Sequence, residues 1–217
     1  MWGKKQLGWA VAVLCGMSLG WGQSPRATLS QLDVAVFNDA GVDPQIVREA
    51  EDRAAQVFRV AEIEVHWRNT QPEQTTASAE SASREHGMLV SVRILPRSRD
   101  LAVDTLGVAF IGKSGHGQQA DIFYDGIAKL SGSESHKVAA FLGAVIAHEV
   151  GHLLLGSKSH SAAGIMQGHW HESDLKLVAL GEFGFGPAQK VKMQRRISAI
   201  EQEMESVVGD SKTVDSP

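Results

Sequence analysis

Three polar residues inside an apolar segment are the part of this sequence best suited to chemistry. Between Val138 and Leu155 every residue is apolar or glycine except His148, Glu149 and His152, which form a His-Glu-x-x-His pattern. Residues four apart lie on one face of an α-helix, so the two imidazoles can bind one divalent metal ion. Glu149 lies about 100° further round the helix than His148. It would therefore stand beside the ion, where a general base is needed.

A metal ion that acts on a substrate needs a third protein ligand, and the residues leave its identity open. Catalytic zinc sites have three protein ligands and an open position for water, whose pKa the ion lowers to about 7. His160 lies eight residues after His152 and beyond Gly156, the residue expected to end the helix, so the chain can turn back and present it. Other candidate ligands follow later in the chain, namely Glu172, His169 and His171.

The first 22 residues are predicted to be a cleavable secretory signal. Lys4 and Lys5 precede an apolar run at residues 7–14, and glycines occupy positions −3 and −1 before Gln23. The apolar run is shorter than the roughly 20 residues of a membrane-spanning helix, so we expect no stable membrane insertion after cleavage. The sequence therefore predicts a secreted or periplasmic protein.

Cleavage of this signal would leave 195 of the 217 residues, without Cys15, the single cysteine of the chain. Any metal would then be held by histidine and carboxylate rather than by thiolate. Loss of Lys4 and Lys5 from 21 basic residues leaves 19 against 25 acidic residues, a formal charge near −6. Because no basic cluster is present, we do not expect nucleic acid as a partner. The length suits a single monomeric domain at residues 23–208, followed by a flexible tail at residues 209–217.

Hydrophobic patterning predicts five strands in the first part of this domain. They are expected at residues 32–38, 62–68, 88–95, 106–111 and 120–124. Asp43 and Pro44 form an N-cap and N1 pair, which predicts a helix from there to about Ala61. Residues 70–86 are polar and have no periodicity, so they are predicted to form a surface loop.

The second part of the chain is predicted to be helical. The apolar helix that carries the histidines should be capped by a serine among residues 133–135 and should end at Gly156. A further helix is expected at residues 170–180, with its cap near Ser173. A last helix should run from Pro187 to about Val207. Its inward-facing side chains are predicted to be Val191, Ile197, Ile200 and Met204.

The residues around the two helix histidines resemble the zinc-binding segment of the metzincin clan of zinc peptidases. The shared features are His148-Glu149-Val150-Gly151-His152, Gly156, His160-Ser161 and the methionine turn Gly164-Ile165-Met166. Residues 106–111 resemble the edge strand along which such peptidases bind substrate, and residues 121–125 resemble the following strand of matrixin-like members. The segment looks most like that of little-characterised secreted bacterial proteins of matrixin-like type.

This resemblance implies a fold, a cofactor and a reaction. The implied fold is α+β and zincin/metzincin-like, with a twisted mixed sheet of about five strands, a backing helix, an active-site helix and C-terminal helices. The implied cofactor is Zn²⁺, held by His148, His152 and His160, with Met166 as the apolar floor under the metal. Glu149 would be the general base in hydrolysis of a peptide or protein substrate.

The spacing departs from the metzincin pattern, and two alternatives remain open. Metzincins usually place the glycine three and the third histidine six residues after the second histidine, whereas Gly156 and His160 follow His152 by four and eight. Glu172 follows His152 with nineteen residues between them, a spacing that resembles thermolysin-like gluzincins, in which a glutamate completes the site. The second alternative is a non-proteolytic metal-binding or interaction protein that retains the zincin fold.

Overall fold

The computed structural model describes residues 29–69, 88–97, 105–132 and 134–211. The predicted signal at residues 1–22, the polar segment at residues 70–86 and residues 212–217 of the predicted tail lie outside this part. The described strands are β1 (Ser30–Asn38), β2 (Ile63–Asn69), β3 (Met88–Leu95), β4 (Gly107–Phe110) and β5 (Gln119–Phe123). The described helices are α1 (Pro44–Val60), α2 (Tyr124–Ser131), α3 (Ser135–Leu155), α4 (Glu172–Leu180) and α5 (Pro187–Ser211).

The five strands form one mixed sheet in the order β2-β1-β3-β5-β4. Pairs β1–β2, β1–β3 and β3–β5 are parallel, and β4 runs antiparallel to β5, with Val108 opposite Asp121. Strand β4 therefore lies at the edge of the sheet, and among the described strands it pairs with β5 alone. The mixed five-stranded sheet and its helices confirm the predicted α+β class.

Helix α1 backs the sheet and packs against α3. Its start follows the prediction, because the Asp43 carboxylate accepts a 2.7 Å hydrogen bond from the Gln45 N–H and proline occupies the first turn. The two helices lie close together at Gly143 of α3, where a Cβ atom would lie 2.5 Å from the Ala50 carbonyl oxygen. The apolar residues that α1 buries are Val47, Ala50, Ala54 and Phe58.

Helix α3 is the centre of the fold. Every residue from Val138 to Leu155 is buried, and the helix contacts α1, α2, α4, α5 and strands β3, β4 and β5. Within the described part of the chain it is the one helix long and apolar enough to cross a membrane, and its apolar stretch is wholly buried inside the protein. It ends as predicted at Gly156, whose φ of 59° is left-handed. His148 and His152 therefore lie on a helix that the rest of the fold encloses.

Three helix starts differ from the prediction. Helix α2 was not predicted, because it follows β5 without a loop, spans only 8 residues and buries only Ile127 and Ser131. Helix α3 begins after Glu134, whose side chain makes no capping hydrogen bond, so the predicted serine cap was wrong. Helix α4 begins after His171 rather than Ser173, since the Asp174 carboxylate accepts a 2.9 Å hydrogen bond from the His171 N–H.

The predicted buried face of the last helix, α5, is confirmed at Ile197 and Ile200, which pack in or against the core, and is wrong at Val191. Met193 and Ile197, four residues apart, are fully buried, whereas Val191 is 45% exposed. Val191 lies two residues, about 200° of helical rotation, from Met193, so it cannot share the buried face. Arg196 of the same helix donates a 2.9 Å hydrogen bond to the Gly115 carbonyl and joins α5 to the loop between β4 and β5. The helix continues to Ser211, four residues beyond the predicted end.

Candidate metal centre

Three histidine side chains converge at the C-terminal end of α3. The Nε2 atom of His152 lies 3.1 Å from the Nε2 atom of His148 and 3.3 Å from that of His160. The three ligand nitrogens all lie within 4.8 Å of one another. Two nitrogens bound tetrahedrally to zinc at about 2.0–2.1 Å are about 3.3–3.4 Å apart. The observed spacing is therefore that of ligands around one small ion.

Backbone carbonyls orient two of these rings. The Nδ1–H of His148 donates to the Ile165 carbonyl at 2.7 Å, and the Nδ1–H of His152 donates to the Ser157 carbonyl at 2.7 Å. A carbonyl oxygen only accepts, so Nδ1 carries the proton and Nε2 presents a lone pair. Two lone pairs facing each other at this distance repel unless a cation lies between them. Such carbonyl contacts are also the usual support of metal-binding histidines.

The protonation state of the histidines suits a metal site. Burial is the main cause that lowers the pKa of His148 to about 4, and the hydrogen bond to Ile165 opposes it. Burial likewise lowers the pKa of His152, against the opposing hydrogen bond to Ser157. Both rings are therefore neutral at neutral pH, which is the form that binds a metal ion.

Glu149 projects from α3 towards the edge strand β4. Its side chain is 6% exposed, and the carboxylate accepts a hydrogen bond from the Ala109 N–H. Burial raises the pKa of Glu149 to about 8, and the Ala109 hydrogen bond acts in the opposite direction. Glu149 is not one of the converging ligand groups but lines the same cleft as His148 and His160. This is the position expected of a proton acceptor next to a metal ion.

A cleft of about 760 Å³ is lined by His148, Glu149 and His160 of the site. One wall includes residues Thr105, Leu106 and Gly107 at the edge of the sheet, and another includes Lys129 and Leu130 of α2. The remaining lining includes Val145, Trp170 and Leu175 together with the site residues. The cleft therefore reaches the start of edge strand β4 at Gly107 and is more apolar than polar.

The predicted methionine turn lies beneath the histidines. Gly164 has a φ of 76°, its carbonyl accepts a 3.1 Å hydrogen bond from the Gln167 N–H, and the Ser161 N–H donates to the Met166 carbonyl at 2.8 Å. Met166 is fully buried, and a Cβ atom on Gly151 would lie 2.7 Å from its sulfur. Gly151 is on α3 next to His152, so Met166 packs against the turn of the helix that carries His152.

Among the candidate ligands whose side chains the structure describes, His169 and His171 do not join the three-histidine group. His169 and His171 are exposed, and their ring centroids lie 5.9 Å apart in an edge-on contact. Glu172 is the first residue of α4, and its side chain lies outside what the structure describes. Trp170 is partly buried, and its indole N–H donates to the Ile165 carbonyl at 3.3 Å, the same carbonyl that accepts from His148.

Some residues of the site gave no usable signal in the sequence. Ile165 and Ser157 act through backbone carbonyls, which every residue type has. Gly107 did offer a signal, because a glycine inside a predicted strand often marks a close approach by another group. In the structure that group is the Glu149 side chain, whose Cγ would lie 2.7 Å from a Cβ atom at this position.

Comparison with known proteins identifies the fold. No protein-family model matches the chain, and no curated protein matches it. A solved structure, the zinc-dependent peptidase from Methanocorpusculum labreanum strain Z, is 14% identical and matches over 74% of this chain and 99% of its own, with a TM-score of 0.50. A second, archaemetzincin from Methanopyrus kandleri, is 18% identical over 80% of this chain and 98% of its own, with a TM-score of 0.45. The chain thus has a zincin/metzincin-like α+β fold, and its chemistry must be argued from its own side chains.

Proposed function

We propose that this protein is a secreted zinc-dependent endopeptidase of metzincin, matrixin-like type. The observation that carries the proposal is the convergence of three imidazole nitrogens, two of them 3.1 Å apart and oriented by carbonyls, beside a buried carboxyl group. The ligands are His148, His152 and His160. The solved structure that shares the fold is that of a zinc-dependent peptidase, which agrees with this assignment.

The reaction proposed is hydrolysis of a peptide bond with Glu149 as general base. When bound, Zn²⁺ would supply a Lewis acid that lowers the pKa of water and polarises the scissile carbonyl. Glu149 accepts the proton of the attacking water and later releases it to the leaving amine. The Ala109 N–H holds the carboxylate in place. A nearby dication favours the charged form of a carboxyl group, so Glu149 can serve as a base although burial alone raises its pKa.

The substrate proposed is an extended stretch of peptide or protein. Among the described strands β4 pairs with β5 alone, and its first residue, Gly107, lines the cleft. A peptide can add to such an edge through main-chain hydrogen bonds, which bind any sequence in an extended form. This places a substrate carbonyl near the three histidines and Glu149, while a neighbouring side chain can enter the cleft.

Secretion is proposed from the sequence pattern of residues 1–22. N-terminal sequencing of the protein recovered from the medium or periplasm is expected to begin at Gln23. Recovery of the whole product in the cytoplasm with residues 1–22 attached would contradict secretion and would leave the chemistry of the site unaffected.

Metal analysis and peptide cleavage test the function. The purified protein is expected to contain one zinc per chain, to cleave members of a broad peptide library, and to lose and regain cleavage with chelator and added zinc. Free zinc at 1,000 times its dissociation constant should also stabilise the fold by about 4 kcal/mol, since it binds the folded state. A variant with both His148→Ala and His152→Ala is the control and should gain no stability from zinc. Failure of zinc to bind would overturn the proposal, and bound zinc without cleavage would favour the non-proteolytic alternative.

A further inference from the structure

We infer that Gly107 and Gly168 are positioning residues of the site, Gly107 for the Glu149 carboxylate and Gly168 for the His160 ring. This inference rests on the function proposed above and assigns a separate task to each glycine. Each lies directly against one functional side chain, at a place where a single additional carbon atom would displace it. The two residues come from different elements, Gly107 from edge strand β4 and Gly168 from the loop before α4.

Gly107 leaves room for the side chain of Glu149. A Cβ atom at Gly107 would lie 2.7 Å from Cγ, 2.8 Å from Oε1 and 3.0 Å from Cδ of Glu149. Carbon atoms in favourable contact are about 3.5–4.0 Å apart, so three successive groups of the side chain would have to move. Glu149 is buried between α3 and β4, and its carboxylate accepts a hydrogen bond from the Ala109 N–H. A displaced side chain would therefore lose this hydrogen bond.

Gly168 leaves room for the imidazole of His160. A Cβ atom at Gly168 would lie 2.7 Å from Nδ1, 2.9 Å from Cγ and 3.2 Å from Cε1 of that ring. On the far side of the ring, Nε2 lies 3.3 Å from the Nε2 atom of His152. His160 is exposed, so a displaced ring can swing into solvent without disturbing the core. The expected effect is therefore a weaker metal site in a folded protein.

Neither glycine is required by its backbone conformation. The glycines with left-handed φ angles are Gly41, Gly115, Gly132, Gly156, Gly164 and Gly181, which excludes Gly107 and Gly168. Alanine at either position would fit the backbone, and its effect would come from the Cβ atom alone.

Alanine substitutions at the two positions are expected to have different effects, one on kcat and the other on zinc affinity. Gly107→Ala should bind zinc with unchanged affinity, which also shows that it is folded, and should lose at least about 100-fold in kcat with KM changed less than about threefold. Gly168→Ala should raise the zinc dissociation constant by about 10- to 100-fold, the effect typical of lost support for a metal ligand. The absorption spectrum of the cobalt-substituted protein should change in Gly168→Ala and stay as in the wild type in Gly107→Ala.

Gly184→Ala is the matched control. No atom lies within 4 Å of a Cβ at Gly184, its φ is not left-handed, and its carbonyl accepts a hydrogen bond from Ile165 in the loop that supports His148. This variant should keep both zinc affinity and kcat. Wild-type kcat in Gly107→Ala, or wild-type zinc affinity in Gly168→Ala, would overturn the inference. If Gly168→Ala unfolds non-cooperatively in urea, its loss of zinc is structural and the role of Gly168 is likewise rejected. A wild-type protein that binds no zinc would instead refute the proposed function itself.

Discussion

Glu149→Gln is expected to retain one zinc per chain and to lose about 10²- to 10⁴-fold in kcat for peptide cleavage, the usual contribution of a general base. The amide has nearly the shape of the carboxyl group, and its oxygen can still accept from the Ala109 N–H, so the pocket between α3 and β4 stays filled. An amide nitrogen cannot take the proton of the attacking water. Because the three histidines are unchanged, zinc content measured by metal analysis should not fall.

The control for this variant is Glu203→Gln, which makes the same change at an exposed position on α5. It should keep wild-type zinc content and wild-type kcat. Cleavage by Glu149→Gln within tenfold of the wild-type rate, at full zinc occupancy, would remove Glu149 from the mechanism. Loss of zinc in the same variant would show that Glu149 supports the ligands rather than the proton transfer.

The metal-binding helix could be predicted from sequence because its signals are local. The four-residue separation of His148 and His152 places them on one helical face, and the apolar residues around them require burial. Gly156 marks the helix end because the C-cap residue has a left-handed backbone conformation, which glycine adopts most readily. The edge position of β4 came from the resemblance, since strand order depends on pairings distant in sequence.

The connection to His160 could not be predicted in the same way. It is longer than in metzincins, so either the helix had to run further or the loop had to bulge. The structure shows that both occur: the helix runs one residue further, to Leu155, and the second extra residue lies in an exposed loop, where the Ser159 N–H donates to the Ser157 hydroxyl at 3.1 Å. The Ser157 carbonyl supports His152 at the same time. The insertion therefore changes the path of the loop and still brings His160 to the other two histidines.

The hydrogen bonds and close contacts that hold the site residues in place cannot be predicted from residue types alone. Ile165 accepts hydrogen bonds from both His148 and Trp170 through its carbonyl, and this geometry exists only once the turn at Gly164 has formed. The close approach of Gly107 to Glu149 likewise requires β4 to be packed against α3. Such features follow from tertiary packing, whereas ligand types and helix ends follow from local sequence.

His160→Ala is expected to raise the zinc dissociation constant by about 10²- to 10³-fold. Four ligands of a structural zinc site together supply about 10–16 kcal/mol, so one ligand corresponds to roughly 2.5–4 kcal/mol. His160 is exposed, and its removal leaves the core packing and the hydrogen bonds of His148 and His152 in place. Competition of the protein with a chromophoric chelator for zinc measures the change, and urea denaturation should show an otherwise normal metal-free stability.

Glu172→Ala separates this assignment from the gluzincin alternative, in which Glu172 is the third ligand. With His160 as the ligand, Glu172→Ala should change zinc affinity by less than about threefold, because the three-nitrogen group is intact. The opposite pattern would be weak zinc binding in Glu172→Ala and wild-type binding in His160→Ala. It would mean that α4 supplies the third ligand and that the 3.3 Å spacing between His160 and His152 does not reflect a shared metal ion. The convergence of the three nitrogens favours His160, since its Nε2 lies 3.3 Å from the Nε2 atom of His152 and all three ligand nitrogens lie within 4.8 Å of one another.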